Sequence, residues 1–412
     1  MPFYDFELDP RLQKNLQKMG FERPTPIQSA TIAHALDGRD ILGSAETGTG
    51  KTAAFLLPLL QKLTESPHTR EPRALIIVPT RELALQVTDH AKQLSHGLQL
   101  ELATIYGGVS LKPQEDALRR GVDVVIATPG RLLDHVERRN LAFTSLQILV
   151  LDEGDRMLDQ GFLPDIRRIV RLLPRDRQTM LFSATLQSIV DLSREITRDP
   201  VRVEVETTVT PDAITQVLYP VPEHLKFEVL QRLLEDNTLY SVLIFARTKH
   251  RADRLARNLQ RAKIEAAVIH GNRSQSQRVA ALESFRRGRT RVLVATDIAA
   301  RGIDVEGITH VVNYDVPTQP EDYVHRIGRT GRAHAVGAAY TLATPLDDRM
   351  IGRIEYVLKQ KIERRRVEGL DYSAPAAKIP TAEEIQRYVQ ANRRKTDGAP
   401  ARRRRHSARV KA

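Results

Sequence analysis

Short apolar runs alternate with stretches of helical periodicity along most of the chain. Over residues 81–94 the apolar positions recur at steps of three and four, which predicts a helix with one buried face. Apolar runs without polar alternation indicate strands that are covered on both faces, and strands separated by helices favour a parallel sheet. In the first half these runs occupy residues 40–44, 73–78, 100–106, 122–127, 147–151 and 179–182, and residues 201–205 alternate like an edge strand.

The alternation begins again after a polar, threonine-rich stretch at residues 205–211. We therefore predict an α/β protein of two similar lobes, 1–205 and 216–366, joined by a linker at 206–215. Residues 367–412 are expected to form a mostly disordered basic tail with one amphipathic helix candidate at 381–389. Second-lobe strands are expected at 242–245, 266–270, 291–295, 310–314 and 338–343, and helices at 250–262 and 276–287.

The composition excludes several classes of protein. The 412 residues contain no cysteine, which excludes a disulfide framework, a thiolate metal site and a cysteine nucleophile. No apolar run approaches the ~18 residues that span a bilayer, and the N-terminus lacks the basic start and apolar core of a secretion signal. We therefore expect a cytoplasmic protein with no membrane partner.

The net charge of +12 predicts a polyanionic partner. The excess is concentrated at the C-terminus, where residues 391–412 contain nine Arg or Lys and one acid. Such a block does not fold on its own, and it serves either to attract a polyanion or only to keep the protein in solution.

A glycine-rich loop between the first predicted strand and a helix is the most informative local feature. Backbone N–H groups of such a loop, at the positive end of a helix dipole, bind phosphate oxygens. Lys51 is placed to reach the terminal phosphates and Thr52 to ligate magnesium, although Ala45 stands where the usual pattern has its first glycine. The candidate nucleotide-binding residues are Ala45, Glu46, Thr47, Gly48, Thr49, Gly50, Lys51 and Thr52.

Two acids follow the apolar run at 147–151. At the carboxyl edge of a parallel sheet, Asp152 is placed to hold magnesium and Glu153 to orient and deprotonate the attacking water. Two acids after a strand are common on surfaces, but together with the phosphate loop upstream they favour a nucleoside triphosphatase.

Several shorter segments are individually weak but share one position, directly after a predicted strand. Their hydroxyls, turn N–H groups and arginines suit contacts with a phosphate backbone. The segment at residues 325–332 is more specific because it holds three arginines and a histidine, and arginines donated to a γ-phosphate neutralise charge in the transition state. The weaker segments are residues 79–83, 107–108, 128–131 and 183–185.

The set and order of these motifs resemble a DEAD-box RNA helicase of superfamily 2, of the bacterial type, over residues 6–344. The resemblance implies two tandem RecA-like domains, the cofactors ATP and Mg²⁺, RNA as partner in single-stranded, duplex or ribonucleoprotein form, and a monomeric core. It also implies that Gln28 reads adenine, Phe21 stacks on it and Asp304 contacts the ribose. Arg329 and Arg332 match the arginine fingers.

By the same resemblance, a second group of residues couples hydrolysis to RNA. Ser183 and Thr185 would act through contact with Asp155, together with His325. The residues expected to face RNA are Thr80, Arg81, Gly108, Thr128, Arg131, His270, Gly271, Thr296 and Asp297.

One position departs from the family pattern, since Gly154 stands where the name-giving motif has alanine. Glycine adds backbone freedom between Glu153 and Asp155, so we expect reduced coupling between hydrolysis and unwinding, but an active enzyme. The predicted function is therefore an ATP-dependent RNA helicase or RNA–protein remodeller. The alternatives are an ATP-gated RNA clamp with weak hydrolysis and a DNA-directed ATPase.

Overall fold

The computed structural model describes residues 2–45, 49–184, 186–205, 214–300, 305, 307–331 and 337–375. The first lobe is built on a parallel seven-stranded sheet in the order β3-β4-β2-β5-β6-β1-β7. Its strands are β1 (Ile41–Ser44), β2 (Ala74–Ile77), β3 (Leu102–Ile105), β4 (Val124–Ala127), β5 (Ile148–Leu151), β6 (Gln178–Ser183) and β7 (Val201–Glu204).

Helices cover both faces of this sheet. Its central strands β2, β4, β5 and β6 are buried along their whole length, as expected for strands that read as continuous apolar runs. The helices are α1 (Pro10–Lys18), α2 (Pro26–Leu36), α3 (Lys51–Glu65), α4 (Arg81–Leu94), α5 (Lys112–Arg120), α6 (Pro129–Glu137), α7 (Gly154–Asp159), α8 (Leu163–Val170) and α9 (Val190–Ile196).

The second lobe has its own parallel seven-stranded sheet, in the order β10-β11-β9-β12-β13-β8-β14. Its strands are β8 (Ile214–Pro220), β9 (Val242–Phe245), β10 (Ala266–Ile269), β11 (Val292–Ala295), β12 (His310–Asn313), β13 (Gly337–Ala343) and β14 (Glu363–Arg364). Its helices are α10 (Lys226–Leu234), α11 (Lys249–Arg261), α12 (Gln275–Arg286), α13 (Asp297–Ala300), α14 (Pro320–Ile327) and α15 (Asp348–Leu358).

The two sheets have the same strand order when each strand is counted from the start of its lobe. In both lobes the carboxyl ends of the strands meet at one edge, which is where ligands bind in open α/β sheets. In the first lobe the ends of β3, β4 and β2 form one half of this edge, and the ends of β5, β6 and β1 continue it from β2.

The predicted strands and helices are confirmed to within one or two residues, and the prediction of tandem α/β lobes is confirmed. The structure differs at the boundaries of the second lobe. Ile214 and Thr215, expected in the linker, lie in β8, and that strand pairs with β13. Residues 367–375, expected in the tail, lie against the second lobe, where Leu370 and Tyr372 pack on its core. The linker residues 206–213 and the helix candidate at 381–389 lie outside the described residues.

Among the described residues, no helix is long and apolar enough to cross a membrane.

Candidate active site between the two lobes

A cavity lies between the two lobes, beside the carboxyl ends of β1 and β5 of the first lobe and the C-terminal end of α14 of the second lobe. It brings together residues that are far apart in the chain and that belong to both lobes. The first lobe contributes Lys51, Glu153, Asp155, Arg156, Asp159 and Ala184, and the second lobe contributes His325 and Arg329.

The phosphate loop connects β1 to α3, and Lys51 is the first residue of that helix. Gly50 adopts a left-handed backbone conformation with φ 95°, which favours glycine at this position. The Lys51 side chain is buried and its Nζ donates a 2.6 Å hydrogen bond to the Ala45 carbonyl. The ammonium is therefore already held over the loop. Thr52 lies in the first turn of α3, and Glu46, Thr47 and Gly48 lie outside the described residues.

Gln28 packs against the phosphate loop from the N-terminal helix α2. Its Nε2 donates to the Gly50 carbonyl at 3.0 Å, and its Oε1 accepts from the Thr25 N–H at 2.9 Å. Thr25 Oγ1 in turn donates to the Thr49 carbonyl at 2.7 Å. A primary amide has two donor hydrogens and two acceptor lone pairs. These contacts use one donor and one acceptor of the Gln28 amide and fix it against the phosphate loop.

Phe21 is half-buried and meets the Phe3 ring edge to face, with the ring centroids 6.1 Å apart. This contact fixes the aromatic ring near the start of α2.

The two acids that follow β5 are buried but differ in their electrostatic surroundings. Burial raises the pKa of Asp152 to about 6, against the attraction of the Lys51 ammonium. Burial also acts to raise the pKa of Glu153, but the charge and hydrogen bond of Arg156, with the charges of Lys51 and Arg329, outweigh it and hold that pKa below its usual value. Glu153 is thus kept ionised inside the cavity.

Arg156 positions Glu153 directly. Its Nη1 lies 2.7 Å from Glu153 Oε2, and both side chains are almost completely buried. Glu153 also has a φ of 55°, in the left-handed region that non-glycine residues avoid at a cost of about 1–3 kcal/mol. Backbone strain at a buried, ionised carboxylate is typical of a functional site.

The end of β6 connects the acids to the phosphate loop. Asp155 Oδ2 accepts a 3.2 Å hydrogen bond from the Ala184 N–H, and the Ser183 carbonyl accepts a 3.1 Å hydrogen bond from the Ala45 N–H. Ser183 is completely buried. Ser183 and Ala184 therefore lie between the start of the phosphate loop and Asp155. Thr185, predicted to act with Ser183, lies outside the described residues.

Arg329 is one of the two residues of the second lobe that line the cavity. It follows α14, is 5% exposed, and its Nε donates to the His325 carbonyl. Its charge acts on Glu153 across the cavity. The neighbouring Thr330 anchors this loop through hydrogen bonds to the carbonyls of Ile308 and Thr309. Arg332 and Asp304 lie outside the described residues.

The predicted RNA-facing residues of the first lobe lie at the ends of β2, β3 and β4. Thr80 caps α4 and Thr128 precedes α6. The Arg81 guanidinium lies directly over Gly108, where a Cβ atom would be 1.9 Å from Arg81 Nη1. Arg131 donates to the Val109 carbonyl from both terminal nitrogens. Arg81 and Arg131 therefore both contact the turn that contains Gly108.

In the second lobe the equivalent edge carries His270, Gly271 and Thr296. His270 is buried beside Asp253, with Nε2 3.1 Å from Oδ1, while Gly271 is exposed. Asp297 was expected to face RNA, but its carboxylate forms an ion pair with Arg326 at 2.5 and 2.8 Å. The structure therefore directs the Asp297 side chain towards its own lobe.

Two contacts were not found from the sequence. The first is the Arg156–Glu153 pair, whose spacing of three residues at a helix start is a signal that could have revealed it. The second joins the lobes away from the cavity, where Glu82 of α4 accepts from Gln275 Nε2 at 3.0 Å and lies 2.8 Å from Arg278. No local pattern indicates a partner that is almost two hundred residues away.

Two family models match the chain. Residues 25–192 match the DEAD/DEAH box helicase family, and residues 225–334 match the helicase conserved C-terminal domain. The chain is 41% identical over 392 residues to the DEAD-box ATP-dependent RNA helicase CshA of Bacillus subtilis, with 95% of this chain and 79% of that protein covered. It belongs to the DEAD-box family of ATP-dependent RNA helicases. It is therefore an ATPase whose activity is that of an RNA helicase.

Solved structures agree with this assignment. Dbp5 of Saccharomyces cerevisiae bound to RNA and ADP BeF3 is 32% identical, with a TM-score of 0.80 over 94% of this chain and 98% of that one. The DEAD-box helicase Mss116 bound to single-stranded RNA and UDP-BeF is 27% identical, with a TM-score of 0.80 over 93% of this chain and 81% of that one. These likenesses confirm the tandem RecA-like architecture and support RNA binding by this chain.

Proposed function

We propose that this cavity hydrolyses ATP when RNA holds the two lobes together, and that the cycle separates short RNA duplexes or remodels RNA–protein complexes. The observation that carries the proposal is the joint lining of one cavity by Lys51 and Glu153 from the first lobe and Arg329 from the second. A site divided between two lobes is complete only while they stay in contact.

Each of these residues has a distinct role in the proposed reaction. Lys51 binds the β- and γ-phosphates from the loop, and Glu153, kept ionised by Arg156, orients the attacking water and accepts its proton. Arg329 and, by the family pattern, Arg332 neutralise the charge that develops on the transferred phosphoryl group, which is worth about 10³–10⁵ in rate. Gln28 and Phe21 select and stack the adenine, and Asp304 contacts the ribose.

The oxygen donors present fit a magnesium ion. Mg²⁺ favours one or two carboxylates plus substrate phosphates and water, and the buried Asp152 carboxylate with the Thr52 hydroxyl matches that set. In the described part of the chain, no group of three or more acidic or histidine side chains is arranged to hold a metal ion. When bound, the ion would neutralise charge on the phosphates.

RNA is proposed to lie across the other half of the sheet edges. Thr80, Arg81, Gly108, Thr128 and Arg131 offer hydroxyls, N–H groups and guanidinium groups at the ends of adjacent strands. His270, Gly271, Thr296 and the backbone of Asp297 continue this surface in the second lobe. The family pattern assigns coupling to Asp155, Ser183, Thr185 and His325, and of these Asp155 and His325 line the cavity from the two lobes.

The test is an ATPase assay with matched RNA and DNA oligonucleotides, using Glu153→Gln as the control for contaminating activity. Stimulation by RNA alone is the expected result. Equal stimulation by DNA would favour a DNA-directed ATPase. RNA binding in the presence of ATP with negligible turnover would favour the clamp, for which Gly154 is the one suggestive residue.

A further inference from the structure

Helix α11 has a row of basic side chains on its outer face. His250, Arg254, Arg257 and Arg261 follow one another at steps of four, three and four residues, and all four are exposed. Residues with this spacing lie above one another on an α-helix. At 1.5 Å per residue the row extends for roughly 16 Å. We call these four residues the α11 row.

The arginines of the α11 row lack acidic partners, whereas several other exposed arginines are paired. Arg167 pairs with Glu195, Arg168 with Glu137 and Arg287 with Glu283. Across the described residues, Arg254, Arg257 and Arg261 have no carboxylate oxygen within ion-pair distance.

The acid of α11 itself is turned away from the row. Asp253 is held by His270 Nε2 at 3.1 Å and by Arg273 Nη2 at 2.6 Å. The three arginines of the row therefore form a positive strip, which attracts a polyanion.

The α11 row begins at the surface proposed to hold RNA. Helix α11 follows β9, so its first residues lie at the carboxyl edge of the sheet. Lys249, its first residue, donates from Nζ to Asn272 Oδ1 at 3.1 Å, in the loop that also carries His270 and Gly271. From this loop the row leads down the side of the second lobe.

We propose that the α11 row binds the phosphodiester backbone of the RNA strand as it leaves the cleft between the lobes. This inference rests on the proposed RNA-binding function and extends its site to a helix outside the family's motifs. Guanidinium groups one helical turn apart give sequence-independent contacts with successive phosphates. The row would hold the single-stranded extension of a substrate while the cleft acts on its duplex.

The test compares two triple variants at the same series of salt concentrations. The first is Arg254→Gln, Arg257→Gln and Arg261→Gln. The matched control is Arg120→Gln, Arg138→Gln and Arg175→Gln, which removes the same charge from exposed arginines of the first lobe that have no carboxylate partner among the described residues. Thermal unfolding checks that both variants remain folded.

Binding is measured by fluorescence anisotropy over a salt series, with an RNA just long enough to cross the cleft and with the same RNA carrying a single-stranded extension at either end. The wild-type protein should bind one extended RNA more tightly than the short RNA, and the α11 variant should lose that gain. Its slope of log affinity against log salt should fall by about two units, at about 0.7 per phosphate contact. The control variant should keep both the tighter binding of the extended RNA and the wild-type salt slope.

An α11 variant that binds the extended RNA with the wild-type salt slope would overturn the proposal, and so would an equal loss in the control variant. Failure of the proposed function gives a different result, because the short RNA would then not stimulate ATP hydrolysis by the wild-type protein. If the proposed function holds, the α11 variant should show the wild-type stimulation with the short RNA, since its cleft is unchanged.

Discussion

Replacing Arg156 by glutamine tests the electrostatic control of the proposed catalytic base. The guanidinium lies 2.7 Å from Glu153 Oε2, with both side chains almost completely buried, and it is the strongest attraction acting on that carboxylate. Without it, burial pushes the pKa of Glu153 upwards. Breaking a buried pair costs about 3–5 kcal/mol. Part of this cost falls on the ionised form of Glu153, which is the form that the proposed base requires.

The expected result appears in the pH dependence of kcat. Saturating magnesium and ATP keep Asp152 ionised, so the acidic limb reports Glu153. In Arg156→Gln this limb should move to higher pH, because the ionised form of Glu153 loses its main attraction, and kcat at pH 7 should change less than kcat at pH 5.5. RNA-stimulated ATPase activity is measured across the pH range.

Two further variants separate charge from structure. Arg156→Lys keeps a positive charge and should restore most of the acidic limb, whereas Arg167→Gln removes a guanidinium from an exposed pair with Glu195 and should leave the limb in place. An unshifted limb in Arg156→Gln, or a lysine variant that behaves like the glutamine variant, would refute the role given to Arg156.

Three other predictions follow from local geometry. Because burial raises the pKa of Asp152 to about 6, its ionised form destabilises the ligand-free fold above that pH, and this contribution is relieved as the pH falls. Asp152→Asn should therefore raise the free energy of unfolding at pH 7 by up to about 3 kcal/mol, measured by denaturant unfolding without nucleotide. The same variant should lose ATPase activity. An unchanged free energy of unfolding would contradict this prediction. In Gly108→Ala the new Cβ would collide with the Arg81 guanidinium at a backbone φ of 81°, so RNA affinity should fall at least tenfold in anisotropy titrations while ATP binding persists; unchanged RNA binding would exclude a role for this turn. In Gly154→Ala the Cβ would meet Leu181 Cδ1 at 3.0 Å, Ile189 Cγ2 at 3.3 Å and the Phe182 carbonyl oxygen at 3.4 Å, so the neighbouring side chains must shift by a few tenths of an ångström. The fold should survive this shift, and the duplex unwound per ATP should rise. An unchanged ratio would remove the idea that glycine weakens coupling here.

The sequence was sufficient for the architecture because its strands are almost purely apolar. The runs at 73–78, 147–151 and 242–245 gave their strands directly, since strands buried on both faces leave little room for polar residues. Strand β8 was missed. Thr215 and Gln216 break its apolar pattern, and Gln216 is tolerated in the interior because Tyr323 donates a hydrogen bond to it.

The sequence was sufficient to predict site residues that belong to a motif at the end of a strand. It was less informative for residues whose contacts depend on a partner far away in the chain. Lys51, Glu153 and Arg329 were placed together by motif order, and the structure brings them to one cavity. The environment of Asp297 was not predictable, because Arg326 reaches it from α14 and also donates to Asn313 Oδ1 and the Asp315 carbonyl. Such a buried guanidinium looks like any other arginine in the sequence.

The central claim is that ATP is hydrolysed only when RNA brings Arg329 to the phosphate held by Lys51. It is tested most directly by single-turnover hydrolysis with and without RNA, in the wild-type protein and in Arg329→Ala. RNA should accelerate hydrolysis by the wild-type protein, and the variant should stay slow in both conditions, about 10³-fold or more below the stimulated rate. Wild-type hydrolysis that is equally fast without RNA, or an Arg329→Ala variant that RNA still accelerates to the wild-type rate, would contradict the account.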